Sequence, residues 1–269
     1  MAHTVMELLK ALPRTNCGDC GQPTCLAFAT RVIKEGEDLA LCPHLPPAAQ
    51  DLAEAISRQQ EKGEGRRRES LAISLEVMHA KIAPLNFRDL APGLGAVYGE
   101  EEGRPYLQFS FFGQELLVFP DEVRYPPGAE ENPWDAILLY NYIASCGKAL
   151  PTGTWITYQS LPNSVSKAKT LARLEKELAA HFAGNPGQLR RRAAALSAEP
   201  AQAAENADFQ GVFWPLPRVP VLLLFWDAEP EEGFQALAHV LFDSTVGEFL
   251  DLESLLFLVE QLLDRLMEK

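Results

Sequence analysis

Leu12-Pro13-Arg14-Thr15-Asn16-Cys17-Gly18-Asp19-Cys20-Gly21-Gln22-Pro23-Thr24-Cys25, with Cys42-Pro43-His44-Leu45 further on, decides how the front of this chain is read. In one-letter form, residues 12–45 run LPRTNCGDCGQPTCLAFATRVIKEGEDLALCPHL. The cysteines follow a C-x2-C-x4-C-x16-C pattern. Of the five cysteines in the chain, Cys17, Cys20, Cys25 and Cys42 lie here, and Cys146 stands apart. Four thiolates are what a cubane [4Fe–4S] cluster requires, one for each iron. Structural zinc on the same four side chains is the alternative, and free thiols are a third. Zinc sites favour two C-x2-C knuckles, and this stretch has one.

The residues between the cysteines suit a buried anion. A cubane with four thiolates is a dianion when oxidised, and reduction adds a further negative charge, so dipoles must offset its burial. Gly18 and Gly21 let backbone N–H groups turn toward the sulfurs. A helix expected from Pro23 to Glu35 points its positive end at the site, with Cys25 in its first turn. Leu12, Leu26, Phe28, Leu39 and Leu41 are expected to shield the cofactor from water. Pro43 after the last cysteine stops helix or ladder continuation.

The run from Leu12 to Cys17 and the run Cys20-Gly21-Gln22-Pro23-Thr24-Cys25-Leu26-Ala27-Phe28-Ala29 resemble the cluster-binding module of the corrinoid iron–sulfur protein large subunit. A related module occurs in the B subunit of Rnf-type electron-transport complexes. The resemblance covers about residues 4–50. It implies that Cys17, Cys20, Cys25 and Cys42 hold one low-potential [4Fe–4S] cluster that passes single electrons in anaerobic one-carbon metabolism. It stops there, because no D-x-H-x-x-G cobalamin motif occurs in the chain. From about Ser70 the sequence resembles an uncharacterised domain of anaerobic bacteria and archaea. That likeness is carried by Tyr140-Asn141-Tyr142-Ile143 and by Gly153-Thr154-Trp155-Ile156-Thr157-Tyr158-Gln159-Ser160-Leu161-Pro162.

The chain has 269 residues and a formal charge of −13. The charge is uneven: residues 1–58 contribute −2, residues 59–198 zero and residues 199–269 −11. This argues against nucleic acid as a partner, because phosphate binding needs clustered positive charge. The start, MAHTVMELLKALP, is too short and polar for a signal or a membrane span. A cytoplasmic protein is expected, and in a reducing compartment grouped cysteines are metal ligands rather than disulfides.

Apolar periodicity outlines the rest. A helix is expected at Thr4–Leu12, ended by Pro13, and another at Pro47–Gln60. Residues 59–69, QQEKGEGRRRE, combine glycine and charge with no apolar side chain, which marks a linker. Beyond it come a helix bearing Leu71, Leu75 and Met78, and then a loop rich in Pro and Gly. Ala96–Gly99 and Tyr106–Phe112 suggest paired strands, with Gln114–Phe119 following. Trp134–Cys146, Val165–Phe182 and Leu189–Leu196 have helical spacing. Thr154–Tyr158 alternates as a short strand or loop. Gly211–Trp214 and Pro220–Asp227 suggest a hairpin around Leu216-Pro217-Arg218, and Glu232–Phe242 and Leu252–Met267 are expected as closing helices. Strands and helices come in blocks without a βαβ rhythm, so the fold class is α+β. The expected domains are a cluster-binding domain (1–58), a linker (59–69) and an α+β domain (70–269).

Other candidates carry less. Cys146 is expected as a small buried apolar group, and His44 as a surface residue or a tuner of the cluster. Arg66–Arg68 and Arg190–Arg192 are expected on solvated faces. Tyr140, Tyr142, Trp155, Tyr158, Phe213, Trp214 and Trp226 are expected in core packing, or else lining a pocket for a flat ligand. No nucleotide-binding or hydrolase motif appears. The leading expectation is one-electron transfer with a partner redox or corrinoid enzyme. The alternatives are an enzyme subunit whose C-terminal domain is served by the cluster, and a zinc-stabilised interaction protein.

Overall fold

The computed structural model describes residues 5–35, 37–46, 52, 74–129, 131–229 and 231–268. The chain divides into two compact units, Met1–Glu76 and Val77–Lys269. The expected helix at Pro47–Gln60, apart from Leu52, and the linker at 59–69 lie outside the described residues.

The first unit is built on two helices, α1 (Val5–Ala11) and α2 (Cys25–Glu35), followed by a 3-10 turn at Leu39–Leu41. Leu8 and Leu12, one turn apart, are buried with Phe28, Ala29, Val32 and Leu39, and Cys25 and Cys42 belong to the same small core. Helix α2 starts two residues later than the proline suggests. Thr24 Oγ1 accepts from Ala27 N–H at 3.0 Å and so caps the helix, leaving Pro23 ahead of it. Phe28 is buried, whereas Leu26, expected to face inward, is 49% exposed.

The second unit is α+β and wholly antiparallel in its sheets. Helix α3 (Phe87–Leu94) leads into a four-stranded meander ordered β1 (Val97–Glu101), β2 (Arg104–Phe111), β3 (Gln114–Val118) and β4 (Val123–Arg124). Both of its first two turns place successive residues at positive φ: Glu102 and Gly103, then Phe112 and Gly113. That is the geometry that matches strand twist in two-residue hairpins. Helix α4 (Pro133–Ala144) follows, then β5 (Trp155–Thr157), α5 (Ala168–Phe182), α6 (Pro186–Ala195), β6 (Glu199–Pro200), β7 (Phe209–Leu216), β8 (Val219–Trp226), β9 (Leu237–Asp243) and α7 (Leu252–Met267). The second sheet is ordered β5-β9-β8-β7-β6. Strand β8 is its centre: Val219 through Phe225 are all buried, as a strand covered on both faces demands. Helix α7 supplies Leu255, Leu258, Val259, Leu262, Leu263 and Leu266 to the core, and α5 supplies Leu171, Leu174, Leu178 and Phe182.

Three expectations are corrected. Glu232–Phe242, expected as a helix, is a loop leading into β9, which pairs with β8 from Val221↔Phe242 to Trp226↔Leu237. Ala238, Val240 and Phe242 alternate into the core, and pairing with β8 overrides the helical spacing of the same alanines and leucines. The expected Pro- and Gly-rich loop after residue 82 contains α3. Asn86 caps it by accepting from Arg88 N–H at 3.1 Å, and Phe87, Ala91 and Leu94 form its buried face. Its interior Pro92 falls in the last turn, since the helix ends at Gly95 (φ +66°), and Arg218 donates to the terminal carbonyls of Pro92 and Gly93. Helix α6 begins at Pro186 rather than Leu189, with Asn185 Oδ1 accepting from Gln188 N–H at 3.1 Å.

Candidate metal centre

The site is assembled from two loops and the first residue of α2. Between α1 and α2 the backbone runs through positive φ at Arg14 (+56°), Asn16 (+51°), Gly18 (+83°) and Gly21 (+81°). A Cβ on Gly18 or Gly21 would meet nothing within 4 Å, so these glycines serve the turn's dihedrals and not a close approach. Gly21 N–H closes the turn on Gly18 O at 2.9 Å. Asn16 Oδ1 accepts from Cys25 N–H at 2.9 Å, which ties the loop carrying Cys17 and Cys20 to the start of α2. On the other side, Asp38 Oδ1 accepts from Ala40 N–H at 2.9 Å and sets the 3-10 turn, and Cys42 N–H then donates to Leu39 O at 3.2 Å.

These elements bring the four cysteines into one neighbourhood, graded in exposure. Cys25 and Cys42 are each 8% exposed, Cys20 is half-buried against the same core, and Cys17 is exposed. Burial pushes the Cys42 thiol up, the His44 backbone N–H directed at its sulfur opposes this, and the thiols of Cys20, Cys25 and Cys17 add an upward push. Left as thiolates, four such groups repel one another, and a cationic metal core removes that repulsion. The donor set therefore fits a four-thiolate metal group. Of the residues expected to shield it, Leu12, Phe28 and Leu39 are buried, but Leu26 and Leu41 are 49% and 51% exposed. Each of these two sits directly beside a buried cysteine in sequence, and its side chain turns outward when that cysteine turns in.

His44 is a surface residue, but a placed one. Its Nε2 lies 2.6 Å from Asp19 Oδ2, joining the two cysteine-bearing loops across 25 residues of sequence. This bond, and then one from the Cys17 thiol, hold the Asp19 carboxyl below its ordinary value. Sequence reasoning missed Asp19. Its place between Cys17 and Cys20 was the available signal.

The second unit offers no comparable centre among the described residues. Tyr140, Tyr142, Tyr158 and Phe213 are buried core side chains. Tyr142 donates to Leu94 O at 2.6 Å and Tyr158 to Leu252 O at 3.0 Å, so these two aromatics tie elements of the unit together. Trp214 alone of the group is exposed, at 37%. Cys146, expected to be buried, is half-buried at φ +52°, with its thiol 3.7 Å from Ala144 O. Arg192 caps α7 by donating to Leu266 O at 3.0 Å, and Arg190 donates to Asp208 O at 2.5 Å. Arg66–Arg68 lie outside the described residues. Among the described residues no helix is long and apolar enough to cross a membrane.

Residues 12–44 match the family described as "Putative Fe-S cluster". The chain is 44% identical over 57 residues to the corrinoid/iron-sulfur protein large subunit of Moorella thermoacetica, covering 21% of this chain and 13% of that protein. It is 50% identical over 43 residues to the acetyl-CoA decarbonylase/synthase complex subunit gamma 1 of Methanosarcina thermophila, covering 16% and 9%. With the gamma subunit from Methanothermobacter thermautotrophicus the identity is 44% over 45 residues, covering 17% and 10%. The chain thus spans only 9–13% of the length of these curated relatives. No solved structure matches the chain. The N-terminal segment is thus similar to the corresponding segments of the corrinoid/iron-sulfur protein large subunit and of decarbonylase/synthase gamma subunits. The remainder is matched across residues 86–265, more than half of the chain, and on that match the protein belongs to the family described as "Domain of unknown function (DUF3786)".

Proposed function

We propose that this protein is a cytoplasmic one-electron carrier that holds a single [4Fe–4S] cluster on Cys17, Cys20, Cys25 and Cys42. Its partner is a protein, either a corrinoid enzyme or another oxidoreductase of anaerobic metabolism. The observation that carries this proposal is the gathering of four thiols at the start of α2, two of them buried in the module's core, in a segment that matches iron–sulfur proteins. Bound there, the cluster supplies a one-electron couple. The chain's own residues do the rest. Asn16 fixes Cys25 against the first loop, and the Gly18 and Gly21 turns present Cys17 and Cys20. The positive end of α2 and the His44 N–H offset negative charge on the sulfurs. Leu12, Phe28 and Leu39 exclude water from the inner side, while exposed Cys17 marks the outer side, where an electron has the shortest way out. The names of the relatives, subunits of corrinoid and decarbonylase/synthase systems, support a protein partner.

The proposed domain organisation is a cluster-binding domain over residues 1–58, a linker over 59–69 and the α+β domain over 70–269. The test of function is anaerobic purification with iron and sulfide analysis and EPR of the reduced sample. About four irons and four sulfides per chain are expected. Cys25→Ala is expected to abolish the cluster. Properly folded wild-type protein that is iron-poor, or that carries zinc instead, overturns the proposal.

A further inference from the structure

The side chains of Asp19 and His44 stand beside the proposed ligands and are not among them. Cys17 Sγ, a carboxylate oxygen of Asp19 and a ring nitrogen of His44 all lie within 4.8 Å of one another, and all three residues are exposed. Among the described residues this is the group of His, Cys, Asp or Glu side chains close enough together to share a metal ion. The carboxylate takes two donors: His44 Nε2, 2.6 Å from Oδ2, and the Cys17 thiol. A metal that replaces the thiol proton of Cys17 therefore meets a carboxylate already turned toward that sulfur. The imidazole behind the carboxylate holds it in place, as groups outside the first ligands do around metal sites. Iron accepts carboxylate and imidazole as well as thiolate, and iron–sulfur centres with non-cysteine ligands exist. Cys25 and Cys42 differ from Cys17 in being 8% exposed and packed in the core.

We infer that Asp19 is a second ligand at the Cys17 corner: oriented by His44, its carboxylate holds the iron there when the Cys17 thiolate is absent or displaced. This rests on the four-cysteine cluster proposed above. In the exchange the Fe–S bond to Cys17 breaks and an Fe–O bond to Asp19 forms. The freed thiolate takes a proton from solvent, and no electron moves. The four corners are thus not equivalent, and among the described residues the exposed one is the corner with a substitute at hand.

The test uses the full chain, reconstituted anaerobically with ferrous iron and sulfide and then exchanged into thiol-free buffer, so that no added thiol fills the vacant corner. Cys17→Ala is expected to retain about four irons per chain, with a midpoint potential and EPR spectrum shifted from wild type. Cys25→Ala is expected to lose the cluster. Cys17→Ala/Asp19→Asn is expected to fall to about three irons or fewer, and Asp19→Asn alone to keep the wild-type content. Adding His44→Phe to Cys17→Ala should speed iron loss to a chelator about two- to fivefold, the scale of an exposed ion pair. The inference is overturned if Cys17→Ala binds no more iron than Cys25→Ala, or if Asp19→Asn makes no difference in the Cys17→Ala background. If wild type binds the full cluster while either result holds, only the second ligand fails. If wild type takes up no iron, the four-cysteine proposal fails and the inference falls with it.

Discussion

Asp243→Asn should unfold the second unit far more readily than its single-atom change suggests. Asp243 is fully buried at the end of β9. Its Oδ2 accepts from Thr152 N–H at 2.8 Å and Gly153 N–H at 2.7 Å, and its Oδ1 accepts from Thr245 N–H at 3.0 Å and Thr245 Oγ1 at 2.8 Å. These bonds pin the segment ahead of β5 and the turn after β9. An asparagine keeps one acceptor for Thr152 and Gly153 and turns its NH2 toward Thr245, whose hydroxyl reverses to accept while its N–H is left without a partner. One charge-assisted bond is lost, worth about 1.5–3 kcal/mol, and a buried N–H is stranded at about 1–3 kcal/mol. The expected cost is therefore about 3–5 kcal/mol, a large part of a typical domain's stability of about 5–15 kcal/mol. All four tryptophans, Trp134, Trp155, Trp214 and Trp226, lie in the second unit, so tryptophan fluorescence of the full chain in urea reports on it alone. With a slope of about 2 kcal/mol/M, the midpoint should fall by roughly 2 M. There is a pH signature as well. Burial pushes the Asp243 carboxyl up, but the donors from Thr245, Gly153 and Thr152 outweigh it and hold the group below its ordinary value. An aspartate in the unfolded chain titrates near ~3.9. The carboxylate's stabilisation is therefore complete above that pH and is lost as pH falls through the lower, folded value. Wild type should show this acid limb and Asp243→Asn should lack it. A midpoint within about 0.3 M of wild type, with the same acid limb in both, refutes the role assigned to this side chain.

Three further outcomes are expected. Tyr140 is buried, and its hydroxyl has no hydrogen-bond partner among the described residues; Tyr140→Phe should therefore leave stability unchanged or raise it by up to ~1 kcal/mol, and a loss of that size in urea titration contradicts the assignment. Gly95 ends α3 at φ +66°, where a Cβ would lie 2.8 Å from Pro217 Cβ, so Gly95→Ala should cost about 1–3 kcal/mol, and an unchanged urea midpoint counts against this. Deleting residues 1–60 should leave a cooperative tryptophan transition, and a chain that melts without one contradicts the proposed domain organisation.

The cysteine stretch was legible because its information is local. Four thiols, two turn glycines and Pro43 fall within 34 residues, and their chemistry limits what they do. The long amphipathic helices α5 and α7 were legible for a similar reason, since Leu171, Leu174, Leu178 and Phe182 repeat on one face. Strand β9 was not, because Phe234, Leu237, Ala238 and Leu241 also satisfy helical spacing. What settles its conformation is β8, a strand buried on both faces that requires a backbone partner on each side. That requirement lies outside the segment itself. Helix α3 was hidden by Pro92 and Gly93, although Asn86 with Asp89 three residues on was a cap signal in plain view. At the candidate metal centre the sequence pointed to the cysteines but not to the order of their exposure. Asp19 gained its significance only when folding set it against His44, 25 residues away.

The borders of the five-stranded sheet bear on how the protein behaves in solution. One border, β5, is three residues long, and the other, β6, is two residues long and includes Pro200, which has no N–H to offer. Where β9 runs on past β5, Glu175 reaches over from α5 and accepts from Val240 N–H at 2.8 Å. A stray strand from another molecule thus meets short ladders, a proline and a carboxylate already in place. The apolar β8 is kept two strands away from either border, so a neighbour's strand cannot reach its backbone without displacing the strands beside it.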